Sequence, residues 1–141
     1  MLQSLDLANT VVTILSDHGL RDGPHMESHQ GQFEHRNPVL QFVVPKWVLQ
    51  RHPKLRRALH INPRRVVSPW DIHLTLKHLT TFPWPAPAVV ARPLSRSLLE
   101  PIPANRTCAD AGIPMYACLC ASWRSRVQSR GVPRAYSGWD R

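Results

Sequence analysis

The stretch that decides the fold is Thr10 to Gly23, "TVVTILSDHGLRDG". Its first half places β-branched residues at Thr10, Val11, Val12, Thr13 and Ile14, the pattern of a strand covered on both faces. Its second half is polar and ends the strand with Asp17, His18 and Gly19. In open α/β sheets ligands gather at the carboxyl ends of strands, because the chain leaves the sheet there and polar side chains converge without spoiling a core. A carboxylate oxygen and an imidazole nitrogen suit zinc or manganese, and Gly19 permits a sharp exit. Asp17 and His18 are therefore candidate metal ligands. A plain reading stands beside this one, since Asp-His-Gly is also ordinary turn composition.

Working outward, "VLQFVV" from Val39 to Val44 lies between Pro38 and Pro45 and reads as a second strand. A helix or long loop between the two strands fits a parallel α/β sheet. Upstream, Leu2, Leu5 and Leu7 give an apolar face to the last turns of a helix that ends near Asn9. Downstream, "KWVLQRHPKLRRALH" is helical in composition but broken by Pro53, which predicts two short helices. "SPWD" carries the signals of a helix start: Ser68 as N-cap, Pro69 at the first position, and Asp71 in a capping box. The spacing of Ile72, Leu76 and Leu79 predicts that this face of the helix meets the core. His73 lies off that face and reads as a partly buried, hydrogen-bonded residue. Asp71 reads as a cap rather than an acid catalyst.

The chain has 141 residues, room for one modest domain with tails. Most of its 14 prolines lie from Pro83 onward, so an ordered front and a loose back are expected. These shifts divide the chain into residues 1–82, a Pro-rich segment 83–120 with a cysteine cluster, and a basic tail 121–141 expected to be disordered. The formal charge of +9 favours polyanions as non-specific partners. The clusters "RHPKLRR" and "NPRR" contain few aromatic residues and no recognised nucleic-acid module, so they read first as a solvated face. No apolar run is long enough to span a membrane, and "MLQSLDLANT" lacks the pattern of a signal peptide.

Four blocks together carry a resemblance: "TVVTILSDHGLRDG", "GQFEHRNPVLQFVVP", "SPWDIHLTL", and "PIPANRTCADAGIP" followed by "CLC". In order and spacing they resemble the C-terminal part of sulfatase-like proteins of the alkaline phosphatase superfamily. The nearest likeness is to animal sulfatase-like proteins of unknown function, over about residues 1–120. The resemblance implies an α/β/α sandwich in which the Asp and His of Ser-Asp-His-Gly hold a divalent metal (Mn, Zn or Ca), roles that fall on Asp17 and His18. It matches Gly31, Glu34 and Pro38 to a block that leads into the next strand. Where sulfatases place a Lys five positions before that Glu, this chain has His29.

The same resemblance places the superfamily nucleophile and the remaining acidic ligand upstream of these blocks. The formylglycine signature Cys-x-Pro-x-Arg occurs at none of Cys108, Cys118 or Cys120. A nucleophile must be held at the metal for ester hydrolysis. The chain is thus expected to be the C-terminal piece of a hydrolase for anionic esters, holding at most one ion and inactive alone, with an Arg-rich tail unrelated to the family. Like the family, Cys108 is expected to pair with Cys118 or Cys120 in the secretory pathway, and Asn105 in "NRT" is a glycosylation sequon. "HMESH" sets His25 and His29 four apart, but it is not His-Glu-x-x-His and reads as a loop with solvated histidines. Either could still complete the Asp17/His18 site. The alternative function is a small basic protein that binds nucleic acid or sulfated glycan without catalysis.

Overall fold

A computed structural model describes residues 6–86 and 94–120. The sequence expectations for residues 1–5 and for the tail 121–141 lie outside the described residues.

Strand β1 (Val12–Leu15) and strand β2 (Leu40–Val43) form the sheet, pairing antiparallel with Val12 opposite Val43 and Leu15 opposite Leu40. This corrects the parallel pairing expected from the spacing. The reason lies in the connection. Helix α1 (His29–Arg36) does not run back along the sheet, because the Gly19 N–H donates to His35 O at 3.0 Å and ties the end of the helix to the carboxyl end of β1. β2 must then start from that same end. Ser16 extends the pairing by one step: its N–H donates to Val39 O (3.0 Å), and its Oγ accepts from Val39 N–H (3.1 Å).

Neither face of β1 is fully covered, again unlike the expectation. Ile14 and Leu15 are exposed, as are neighbouring Val11, Leu20 and Val39. Two isolated strands bury little by themselves. Before β1, Asp6 to Asn9 form a turn closed by the Asp6 carboxylate, which accepts from Ala8 N–H and from the Asn9 side chain at 3.0 Å each. Glycine matters most at Gly19 and Gly31. A Cβ on Gly19 would run into Glu34 O, and one on Gly31 into His25 O. Gly19 thus serves close approach rather than a sharp exit.

Pro53 does separate two helices, α2 (Lys46–Arg51) and α3 (Pro53–Ile61). A 3-10 turn at Asn62–Arg64 leads to helix α4 (Pro69–Thr81), which begins as expected: Pro69 comes first, and the Asp71 carboxylate accepts from Ser68 N–H at 2.7 Å.

The buried face of α4 differs from the expectation. Asp71, Leu74, Thr75 and His78 are buried at i, i+3, i+4 and i+7, whereas Leu76 is 42% exposed and His73 is exposed. An apolar count misses this stripe because three of its four residues are polar. What makes it buriable is the segment 94–106, an irregular stretch whose backbone groups bond to side chains instead of a sheet. Leu98 N–H donates to Thr75 Oγ1 (2.8 Å), and Arg96 N–H to Asp71 Oδ1 (2.7 Å). Asn62 Nδ2 donates to Leu98 O and Glu100 O while its Oδ1 accepts from Ile102 N–H, all at 2.9 Å. His78 bridges Ser97 Oγ and Trp84 O at 2.7 Å each. Every buried backbone group needs such a partner, and here side chains supply it.

Consequently residues 94–120 are irregular, as their prolines predict, but not loose. Leu98, Leu99, Ile102, Cys108, Ala111 and Cys118 join Leu55, Ala58 and Leu74 in the core. Arg106 closes this unit. It donates to both oxygens of the fully buried Asp71 carboxylate (2.8 and 3.0 Å) and to the carbonyls of Val66 (3.0 Å) and Leu94 (2.8 Å).

Candidate metal site

Asp17 and His18 stand directly beyond β1, where Ser16 makes the last pairing with β2. Both are reachable from solvent: the Asp17 side chain is 86% exposed and that of His18 is 42%. One carboxylate oxygen is used internally, as His18 N–H donates to Asp17 Oδ1 at 2.9 Å. That bond, followed by the positive potential of the His18 ring, holds the Asp17 carboxyl below its ordinary value of 3.8. The other oxygen, Oδ2, lies 3.5 Å from His18 Nε2.

The His18 ring is oriented by its own turn. Nδ1 lies 2.6 Å from Gly19 O. A carbonyl only accepts, so Nδ1 is the protonated nitrogen in the neutral tautomer this contact selects, and in that tautomer the lone pair lies on Nε2. This is the arrangement by which metal-binding histidines are usually set, with a backbone carbonyl holding the remote nitrogen. Two donors each about 2.1 Å from one tetrahedral ion stand roughly 3.4 Å apart. The Oδ2–Nε2 separation fits that requirement.

His35 tilts against His18 with ring centroids 5.3 Å apart. Among the described residues its buried Nδ1 meets no hydrogen-bond partner, nor does the buried Nε2 of His25. His18, His25, His29 and His35 all follow Asp17 within one short stretch of the sequence. His25 lies in a 3-10 turn at Pro24–Glu27, half-buried against Gly31, and His29 is exposed at the start of α1, whose N-cap Ser28 accepts from Gly31 N–H at 3.0 Å. Among the described residues, no third His, Cys, Asp or Glu donor joins Asp17 and His18 in a compact cluster.

The other singled-out residues lie elsewhere. Asn105 is exposed in a turn. Cys108 and Cys118 form a disulfide, which selects one of the two pairings left open by the sequence, and Cys120 is free and exposed. An open groove of about 460 Å³ is lined by Pro53, Arg56, Arg57 and His60 on α3. No helix among the described residues is long and apolar enough to cross a membrane.

A family described as "Protein of unknown function (DUF229)" matches residues 1–137. The chain belongs to this family. DUF229 is a sulfatase-like family of the alkaline phosphatase superfamily. The match runs past residue 120 and takes in most of the Arg-rich tail, so that tail is not unrelated to the family. Mixed α/β structure accords with an α/β fragment. No curated protein and no solved structure matches the chain.

Proposed function

We propose that this chain is the metal-binding portion of a metal-dependent sulfuric or phosphoric ester hydrolase, with Asp17 and His18 holding one divalent ion. The observation that supports this most is the 3.5 Å separation of Asp17 Oδ2 and His18 Nε2 in a turn that fixes the imidazole tautomer. Such an ion polarises an ester oxygen and stabilises developing charge on it. Asp17, ionised at neutral pH, supplies the negative charge that attracts the cation, and the Gly19 carbonyl selects the tautomer whose lone pair lies on Nε2. His25 or His29 is the proposed contact for the anionic ester. The reading includes a nucleophile supplied from outside these 141 residues, so the chain alone does not turn over sulfate or phosphate esters. It also assigns the protein to the secretory pathway, with Asn105 glycosylated.

Calorimetric titration of the full chain with Mn²⁺, Zn²⁺ and Ca²⁺ tests this. The expected result is one ion per chain, with affinity reduced about tenfold or more in both Asp17→Asn and His18→Ala. Equal affinity in all three proteins would contradict it.

A second reading rests on the α3 groove. Arg56, Arg57 and His60 present a concave basic surface that fits a polyanion such as nucleic acid or sulfated glycan. Heparin affinity that falls steeply with salt, is lost in Arg56→Ala/Arg57→Ala and ignores metal would favour it.

A further inference from the structure

The three cysteines form a second chemical centre, independent of the metal reading. Cys108 and Cys118 are bonded to each other and buried, while Cys120 is an exposed thiol. All three Sγ atoms lie within 4.8 Å of one another. Local backbone structure holds them there. Ile113 N–H donates to Cys108 O at 2.8 Å, Gly112 takes the left-handed conformation (φ 67°), and Cys118 N–H donates to Met115 O at 3.2 Å to close the 3-10 turn at Met115–Ala117. A thiol held this close to a disulfide is a nucleophile beside its electrophile.

We infer that Cys120 and the Cys108–Cys118 disulfide form an internal thiol–disulfide exchange centre. Cys120 loses its proton to solvent, and the thiolate forms a bond to Cys108 Sγ. The Cys108–Cys118 bond breaks with its electron pair leaving on Cys118 Sγ, which takes a proton from solvent. One disulfide and one thiol exist before and after, so the step needs neither oxidant nor reductant. Attack on Cys118 is disfavoured, since a Cys118–Cys120 bond would close a ring around Leu119 alone with little backbone freedom to reach disulfide geometry.

Exchange moves the free thiol from an exposed position to one that is 4% exposed. Cys120 is therefore a modification site for an external disulfide in one isomer, and the thiol is shielded in the other. Access to solvent and thiolate character together govern such reactivity.

The test uses the oxidised full chain, incubated at about pH 6 or about pH 8.5, because the thiolate is the attacking species. N-ethylmaleimide marks the free thiol after unfolding in acid, the remaining cysteines are reduced and marked with iodoacetamide, and tandem mass spectrometry places each label. Starting protein carries maleimide on Cys120. At the higher pH a growing share appears on Cys118, at a rate independent of protein concentration. Label confined to Cys120 at all times, or exchange that speeds up with protein concentration, would each overturn the inference.

Discussion

Arg106→Ala strikes the point where the irregular back of the chain is fastened to α4. In the wild type the guanidinium makes two bonds to Asp71 and one each to the carbonyls of Val66 and Leu94, and Asp71 has no exposed surface. Alanine removes all four bonds and leaves a buried carboxylate with only backbone N–H groups and the Ser68 hydroxyl for company. Breaking a buried pair from one side typically costs about 3 to 5 kcal/mol, far more than the pair contributes relative to an apolar replacement. With a urea slope of about 2 kcal/mol per molar, that loss moves the midpoint down by roughly 2 M. The assay is urea unfolding followed by circular dichroism with the disulfide intact. Arg106→Lys restores charge but not the two-pronged geometry, so it falls between alanine and wild type. Asp71→Asn/Arg106→Ala should be less damaged than the two single effects summed, because neutral Asn no longer leaves a buried charge unpaired. A loss below about 1 kcal/mol in Arg106→Ala, or strict additivity, would refute the idea that this pair fastens the fold.

Three further outcomes follow from the same structure. Asn62→Ala removes three bonds to the segment 98–102 and should cost about 3 kcal/mol in the same urea experiment, at about 1 kcal/mol per bond. Gly31→Ala drives a methyl group into the His25 carbonyl and should destabilise the chain by about 1 to 3 kcal/mol, with amide exchange accelerating first in α1 and the Pro24–Glu27 turn. The Asp17 carboxyl, lowered first by the His18 N–H and then by the His18 ring, should titrate below 3.8 in carbon NMR. Because its folded value is depressed, its contribution to stability is present above the unfolded value and disappears as pH falls through the folded one. A midpoint at or above 3.8 would remove that reasoning.

What the sequence made legible was whatever rests on neighbours in the chain. Ser68, Pro69 and Asp71 announce the start of α4 because capping is decided within one turn, and Pro53 divides α2 from α3 because its ring cannot sit mid-helix. Asp17 and His18 come together simply by adjacency. Features that depend on distant partners did not show. The direction of β2 is set by the Gly19–His35 bond, which no strand pattern encodes. The inner face of α4 was hidden because periodicity counts apolar residues, and Asp71, Thr75 and His78 are buried only by virtue of partners 19 to 35 residues further on. Arg106 lay inside "PANRTC" as one basic residue among many. The cysteines left two pairings open, and the loop geometry around Ile113 selects one.

The central claim is that Asp17 and His18 hold a divalent ion through Oδ2 and Nε2. Nitrogen NMR of the full chain labelled at its histidine rings, titrated with Zn²⁺, tests this atom by atom. The account predicts that His18 Nε2 shifts on binding one ion while Nδ1 keeps its proton, and that Asp17→Asn weakens the response. A His18 ring unmoved by zinc, or one that binds through Nδ1, would contradict it.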